Sequence, residues 1–335
     1  MNERPTDHLP PPDIVRSAFA ELVVTDLKAA RAFWVDLLGF VITAEEASAI
    51  WLRGYAESVH HSLVLRAGPQ AACARIGFRV RRPDDLDAAS AWYRARGCEV
   101  QDIAAGTVRG VGRTIRVSDP LGFTVDLVHE MERVERLLMR WDLYRGAEIA
   151  RIDHINLAVP DVAAAHEHYT ALGFGLSETI EGPDHLYAAW MFRKQTVHDV
   201  AFTEGAGPRL HHLGFSVAES TNVLRMADIV AARGEPWIER GPGRHGVSAA
   251  FYLYLRDPDG HRVEIYTTDY FTGDPDHAPL RWSVDDPRRR DYWGNAVVPS
   301  WYEEATPVLS PDGQLVPVRD RTAPSEQRVG ADGLG

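Results

Sequence analysis

The sequence predicts an α+β protein built from four βαβββ modules, paired into two barrel-like domains and followed by a C-terminal tail. Three observations predict it. The chain resembles itself with a period of about 60 residues. Each copy reads as one apolar-rich strand, a helix of about three turns and three further short strands. After residue 271 the composition turns to proline, aspartate and glycine. A chain of 335 residues has room for two such domains and their cores.

An arm, residues 1–14, precedes the first domain, which is expected over residues 15–148. Its first copy opens with Ala18-Phe19-Ala20-Glu21-Leu22-Val23-Val24-Thr25-Asp26-Leu27, runs as a helix through Phe33, Trp34 and Leu37, and reaches Leu38-Gly39-Phe40. The third copy opens the second domain, residues 149–271, with Asp153-His154-Ile155-Asn156-Leu157-Ala158-Val159-Pro160-Asp161-Val162, then a helix through His166 and Tyr169 to Leu172-Gly173-Phe174. Copies two and four match through Ile76-Gly77-Phe78-Arg79-Val80 against Leu213-Gly214-Phe215-Ser216-Val217. Asp26 and Asp161 stand where a helix needs an N-cap acceptor, and Gly39 and Gly173 where its end needs positive φ. Asp119-Pro120-Leu121-Gly122 and Asp257-Pro258-Asp259-Gly260 read as turns. One module's small sheet leaves an apolar face uncovered, so modules must pair around a shared concavity. The tail, residues 272–335, carries apolar and aromatic beads at Trp282, Tyr292, Trp293, Val297, Val298, Trp301 and Tyr302 that are expected to pack over the barrel. Residues after about 322 are expected to be disordered.

The charge balance excludes several functions. A net charge of −12 with 45% hydrophobic and 25% charged residues describes an ordinary globular chain without the basic footprint of a nucleic-acid binder. No apolar run reaches about 18 residues and no secretion leader stands at Met1, so a cytoplasmic protein that binds a small molecule, with no membrane contact, is expected. Cys73 and Cys98 are too few for a disulfide framework and lack the spacing of a zinc site.

Two histidines fall at equivalent places in copies three and four. His154 opens His-Ile-Asn-Leu-Ala-Val and His212 opens His-Leu-Gly-Phe-Ser-Val, and the repeat symmetry makes them face each other. In the last strand of copy four, alternation puts Arg262, Glu264 and Tyr266 on one face. Two imidazoles and one carboxylate then meet in one cavity, a donor set that holds a divalent ion and leaves positions open for substrate and dioxygen. The first domain carries Phe19, Arg75 and Asp126 at the matching positions, so one half is armed and the other is not. His60, His61, His166, His168, His185 and His277 are expected to be solvated or packing residues.

Together with Ala188-Ala189-Trp190-Met191, Arg193-Lys194-Gln195-Thr196-Val197-His198-Asp199, Glu239-Arg240-Gly241-Pro242-Gly243-Arg244-His245-Gly246-Val247-Ser248 and Asp291-Tyr292-Trp293-Gly294-Asn295, these residues resemble the type I extradiol ring-cleaving dioxygenases of the vicinal-oxygen-chelate superfamily. The resemblance covers nearly the whole chain and is strongest to the members that cleave 3,4-dihydroxyphenylacetate. It implies Fe(II), in some members Mn(II), held by His154, His212 and Glu264, with O2 as co-substrate and a homotetramer as the assembly. It implies His198 as acid/base, Tyr254 as a hydrogen-bond donor to substrate or to bound oxygen, and Asn156 near the oxygen site. Arg240, His245 and Arg290 correspond to a carboxylate pocket and Trp190 to the ring pocket, while Arg288 and Arg289 are expected to be solvated. The implied reaction passes through a metal-chelated catecholate and an alkylperoxo intermediate to 5-carboxymethyl-2-hydroxymuconate semialdehyde. Three alternatives remain open: a different carboxylated catechol, a ligand-sequestering member of the superfamily, and an isomerase or lyase of the glyoxalase kind, which Phe19 in place of a histidine disfavours.

Overall fold

In the computed structural model, which describes residues 9–321, all sixteen module strands occur in the expected order. The first copy runs β1 (Ile14–Val24), α1 (Leu27–Arg31, continued by a π-helical stretch Ala32–Leu37), β2 (Val41–Glu46), β3 (Ala49–Arg53) and β4 (Leu63–Ala67). The second runs β5 (Ala72–Val80), α2 (Asp84–Ala95), β6 (Val100–Ile103), β7 (Thr114–Ser118) and β8 (Thr124–Val128). The third runs β9 (Arg151–Val159), α3 (Val162–Ala171), β10 (Gly175–Glu181), β11 (Leu186–Phe192) and β12 (Val200–Glu204). The fourth runs β13 (Arg209–Ser216), α4 (Ser220–Arg233), β14 (Ile238–Arg244), β15 (Phe251–Arg256) and β16 (Arg262–Thr267). Most of the arm and the end after residue 322, where disorder was expected, lie outside the described residues.

The helices of copies one and three begin and end for identifiable reasons. Asp26 accepts hydrogen bonds from the backbone N–H groups of Lys28 and Ala29, and Asp161 from that of Ala164, which satisfies otherwise orphaned donors. Gly39 and Gly173 sit at φ +88° and +83°, a region costly for any residue with a Cβ. The chain then returns so that the last strand of a module lies parallel to its first, as β1 with β4 and β9 with β12. First strands pair antiparallel across modules, β1 with β5 and β9 with β13. The sheet orders β2-β3-β4-β1-β5-β8-β7-β6 and β14-β15-β16-β13-β9-β12-β11-β10 follow. In the tail, β17 (Leu280–Ser283) extends the second sheet beside β10, and β18 (Thr306–Pro307) pairs with β13.

Both halves contribute to one continuous core. Copy one packs on copy four through Phe40 against Phe215 (ring centroids 4.7 Å apart) and Phe33 against Trp237 (5.4 Å). Copy two packs on copy three through Phe78 against Phe174 (5.7 Å). The buried Trp34 indole donates to Asp257 Oδ2 at 3.0 Å, tying α1 to the turn that launches β16. Trp34→Phe deprives that buried carboxylate oxygen of its donor. Its urea midpoint should fall by the equivalent of about 1–3 kcal/mol at unchanged m-value.

Candidate metal centre and active-site cavity

Strand register brings three donor atoms to one point. Gly214 on β13 lies directly between His154 on β9 and Glu264 on β16, and the three residues form one row across the sheet. His154 Nε2 is 2.8 Å and His212 Nε2 3.2 Å from Glu264 Oε2, with 3.2 Å between the two nitrogens. All three residues are buried and their ligand atoms fall within 4.8 Å of one another. The row needs the glycine: a Cβ at position 214 would stand 2.1 Å from the His154 ring.

The surroundings aim the Nε2 of both imidazoles at one point. His154 Nδ1–H donates to Asp153 Oδ2 at 3.1 Å; burial opposes its protonation, but Asp153 and Glu264 raise its pKa, and the Nε2 that faces Glu264 is where a divalent ion would stand in place of a proton. For His212 the partner is His211. The His211 Nε2–H must donate to the Trp301 carbonyl at 2.9 Å, because a carbonyl only accepts. Its Nδ1 is then the acceptor for the His212 Nδ1–H at 2.7 Å, which leaves a bare Nε2. Burial holds His211 well below its ordinary pKa and takes His212 down to about 4, so both stay neutral near pH 7. Glu264 remains charged: burial opposes ionisation, but the hydrogen bond from His154 and the neighbouring His212 and His245 rings hold its carboxyl well below the usual range. Two imidazoles and one carboxylate on one side of a point fit a divalent iron or manganese ion and leave its other side open.

The cavity in front of that point contains every residue singled out from the sequence: His154, Asn156, Trp190, His198, His212, Arg240, His245, Tyr254, Glu264 and Arg290 all line it. His198 precedes β12 in a loop rather than lying on a strand, and among the described residues its ring has no hydrogen-bond partner. The ring lies 4.0 Å from that of His154, and burial beside His154 keeps it well below its ordinary pKa and therefore neutral. Lys194 holds this loop by donating to the backbone carbonyls of Asp153, at 2.7 Å, and His198. Asn156 Oδ1 accepts from Thr203 Oγ1 at 3.0 Å, which turns its N–H groups into the free donor. Tyr254 O–H donates to His245 Nε2 at 2.8 Å while His245 Nδ1 and Arg240 both donate to the Arg290 carbonyl, at 2.8 and 2.5 Å. Arg240 is stacked over Trp301, 4.6 Å from the ring centroid, and its buried Nε has no partner.

One sequence expectation is corrected here. Arg289 is not solvated: it is 2% exposed and lines the cavity, because the turn Pro287–Arg289 points it inward while Arg288 stays outside and pairs with Asp286. Of the two alternatives expected for His60 and His61, solvated or packing, the structure shows packing: both are buried. The sequence also missed His211, whose role depends on a carbonyl 90 residues away, while Tyr266, which alternation put on the face of Glu264, lines the cavity with it.

The first half repeats the row with different residues. Phe19, Gly77 and Asp126 pair as His154, Gly214 and Glu264 do. The cationic place is taken by protein: Arg75 Nε lies 3.3 Å from Asp126, and Arg116 pairs with the same carboxylate at 2.7 Å. His61 stands two residues before β4 as His198 stands two before β12, with its ring 5.4 Å from Phe19.

The family described as the Glyoxalase/Bleomycin resistance protein/Dioxygenase superfamily matches residues 16–127 and 151–265. The chain belongs to this superfamily. A manganese-dependent 2,3-dihydroxybiphenyl 1,2-dioxygenase of Geobacillus genomosp. 3 is 31% identical over 81% of this chain and 90% of its own length. A metapyrocatechase of Geobacillus stearothermophilus is 27% identical over 89% of this chain and 95% of its own. Among solved structures, an extradiol ring-cleaving dioxygenase from B. fuscum superposes with a TM-score of 0.95 at 51% identity, over 98% of this chain and 92% of that one. The anaerobic 3,4-dihydroxyphenylacetate complex of homoprotocatechuate 2,3-dioxygenase from Brevibacterium fuscum gives 0.92 at 51% identity, over 95% of this chain and 100% of that one. Within the superfamily the chain is an extradiol dioxygenase, dependent on iron or manganese.

The paired rows give a controlled comparison. Gly214→Ala should weaken metal affinity by more than about tenfold, as displacement of a ligand ring requires. Gly77→Ala, whose Cβ would meet the Phe19 ring at 2.4 Å, should lower stability but leave metal affinity unchanged; metal titration of both variants decides. His61 is depressed by burial to about 3, below its unfolded value, so the folded state binds fewer protons and loses stability as pH falls from about 7 toward 3. His61→Phe should reduce that acid loss by a few kcal/mol, read as the difference in denaturation midpoints between pH 7 and pH 4.

Proposed function

We propose that the chain cleaves the ring of 3,4-dihydroxyphenylacetate beside its diol, giving 5-carboxymethyl-2-hydroxymuconate semialdehyde. One observation carries the choice of substrate. The cavity that holds the His154–His212–Glu264 set is also lined by a buried arginine, Arg240, whose Nε is unpartnered, so a catechol seated at the metal with its side-chain carboxylate at Arg240 satisfies both groups. The substrate complex of the 51% identical relative supports this reading.

When bound, a divalent iron or manganese ion supplies a Lewis acid for the catechol oxygens and a redox path to dioxygen. The chain does the rest. Arg240 offers a planar guanidinium to the carboxylate, and the Arg290 carbonyl fixes its direction by accepting one N–H. Trp190, Ile180, Ala188 and Val247 supply the apolar wall for the ring. His198, neutral and without a protein partner, takes the proton of a catechol hydroxyl. Its depressed pKa makes the resulting imidazolium a willing donor, so it returns the proton to an oxygen that gains charge later. The Asn156 amide aims a donor at the reacting oxygens, and Tyr254, held protonated by burial and by Glu264, supplies a second when its O–H turns from His245 toward them. The proposal includes the cytoplasmic homotetramer implied by the sequence, for which light scattering on the purified protein is the check of assembly.

Metal-loaded enzyme given 3,4-dihydroxyphenylacetate and oxygen should consume the two in equal amounts and form a yellow product, and His212→Ala should form none. Arg240→Leu should raise KM for the arylacetate by about 10–150-fold, the worth of a hydrogen bond to a charged group, while leaving KM for plain catechol nearly unchanged. Preference of the wild type for catechol over the arylacetate would reject the carboxylate assignment, and absence of oxygen uptake with every catechol would reject the reaction.

A further inference from the structure

A second cleft lies where the two halves meet, behind the metal centre rather than in front of it. Arg16 on β1, Ser58 and Glu57 between β3 and β4, Arg136 in the connecting segment, Arg151 on β9 and Lys194 after β11 line it. In a chain of net charge −12, a cleft with four cations and one carboxylate runs against the average.

The local acids are already committed. Glu57 accepts from Gly54 N and Ser62 Oγ, each at 2.6 Å, and from Ile152 N at 3.2 Å. Asp153 accepts from Arg151 at 2.5 Å and from His154, and Asp199 lies 3.3 Å from Lys194 and accepts from Ser17 N at 2.9 Å. Arg16 and Arg136 are left over. Arg16 donates only to the Ser17 carbonyl, at 2.7 Å, and among the described residues no carboxylate pairs with either guanidinium. Burial depresses Arg16; Glu57 and Asp199 partly offset this, and Arg151 adds to it. Arg16 is half-buried in the cleft wall without a counter-charge, and an anion in the cleft would supply one.

We propose that this cleft binds a small oxyanion, gripped by Arg16 and Arg136 with Arg151 and Lys194 as its back wall. The occupant is a tetrahedral oxyanion of the phosphate or sulfate type, or a carboxylate. It sits against the two cations that hold Asp153 and the His198 carbonyl, and so against the supports of His154 and His198.

The test is calorimetric titration of the metal-loaded, full-length protein with sulfate and, separately, succinate, at an ionic strength kept constant with chloride. Saturable binding of one equivalent is expected for at least one of them, and which one binds identifies the class. Arg16→Gln and the exposed Arg136→Gln should each weaken it by at least about tenfold, the worth of one charge-assisted hydrogen bond. Arg240→Leu should leave it unchanged. Three results would overturn the proposal: no saturable binding of either anion, binding indifferent to both cleft variants, or binding lost with Arg240→Leu, which would assign it to the substrate cavity. Arg136 lies at the surface, so its variant keeps the test decisive even if Arg16→Gln fails to fold.

Discussion

Gly214 has no side chain, and the His154 imidazole occupies the space this leaves. From that vacancy the rest of the centre follows. The antiparallel pairing of β9 with β13 and the parallel pairing of β13 with β16 place His154, Gly214 and Glu264 in one row. His212, two residues before the glycine on β13, points to the same side. A one-residue slip in either pairing would turn one ligand to the opposite face. The four-module construction serves this register: the helices and the shared core hold two first strands together at the centre of the sheet, where fraying is least.

The first half shows what the same row does without a metal. Phe19 fills the place of an imidazole, and the Arg75 and Arg116 guanidiniums neutralise Asp126. A carboxylate in that position must have a cation. One half supplies it from its own chain, and the other reserves the place for a divalent ion. The cleft between the halves presents the reverse imbalance, with arginines that lack acids.

Around the ligands, neutrality and direction are set by partners that lie far away in the chain. Asp153 orients His154, and the relay from the Trp301 carbonyl through His211 orients His212. The tail therefore belongs to the centre: it provides Trp301, the Arg290 carbonyl that aims Arg240 and His245, and the inward Arg289. Burial supplies the last element, keeping His198 neutral where it can accept a proton.

By itself the sequence made the four modules and the His154, His212 and Glu264 set legible, because a duplicated strand keeps its alternation and a repeat exposes which copy carries histidine and which carries phenylalanine; His198, Tyr254, Asn156, Arg240, His245, Arg290 and Trp190 were legible only through the family resemblance. Helix limits at Asp26, Gly39, Asp161 and Gly173 were legible for the same local reason, since caps and positive φ are properties of a few adjacent residues. Only the tertiary structure decided that His198 sits on a loop, that Arg289 turns inward, that His60 and His61 are buried and that His211 sets a tautomer. Each of these depends on where a distant carbonyl, ring or turn comes to rest. Periodicity carries no information about that, because such contacts are fixed by packing between segments and not by the pattern within one.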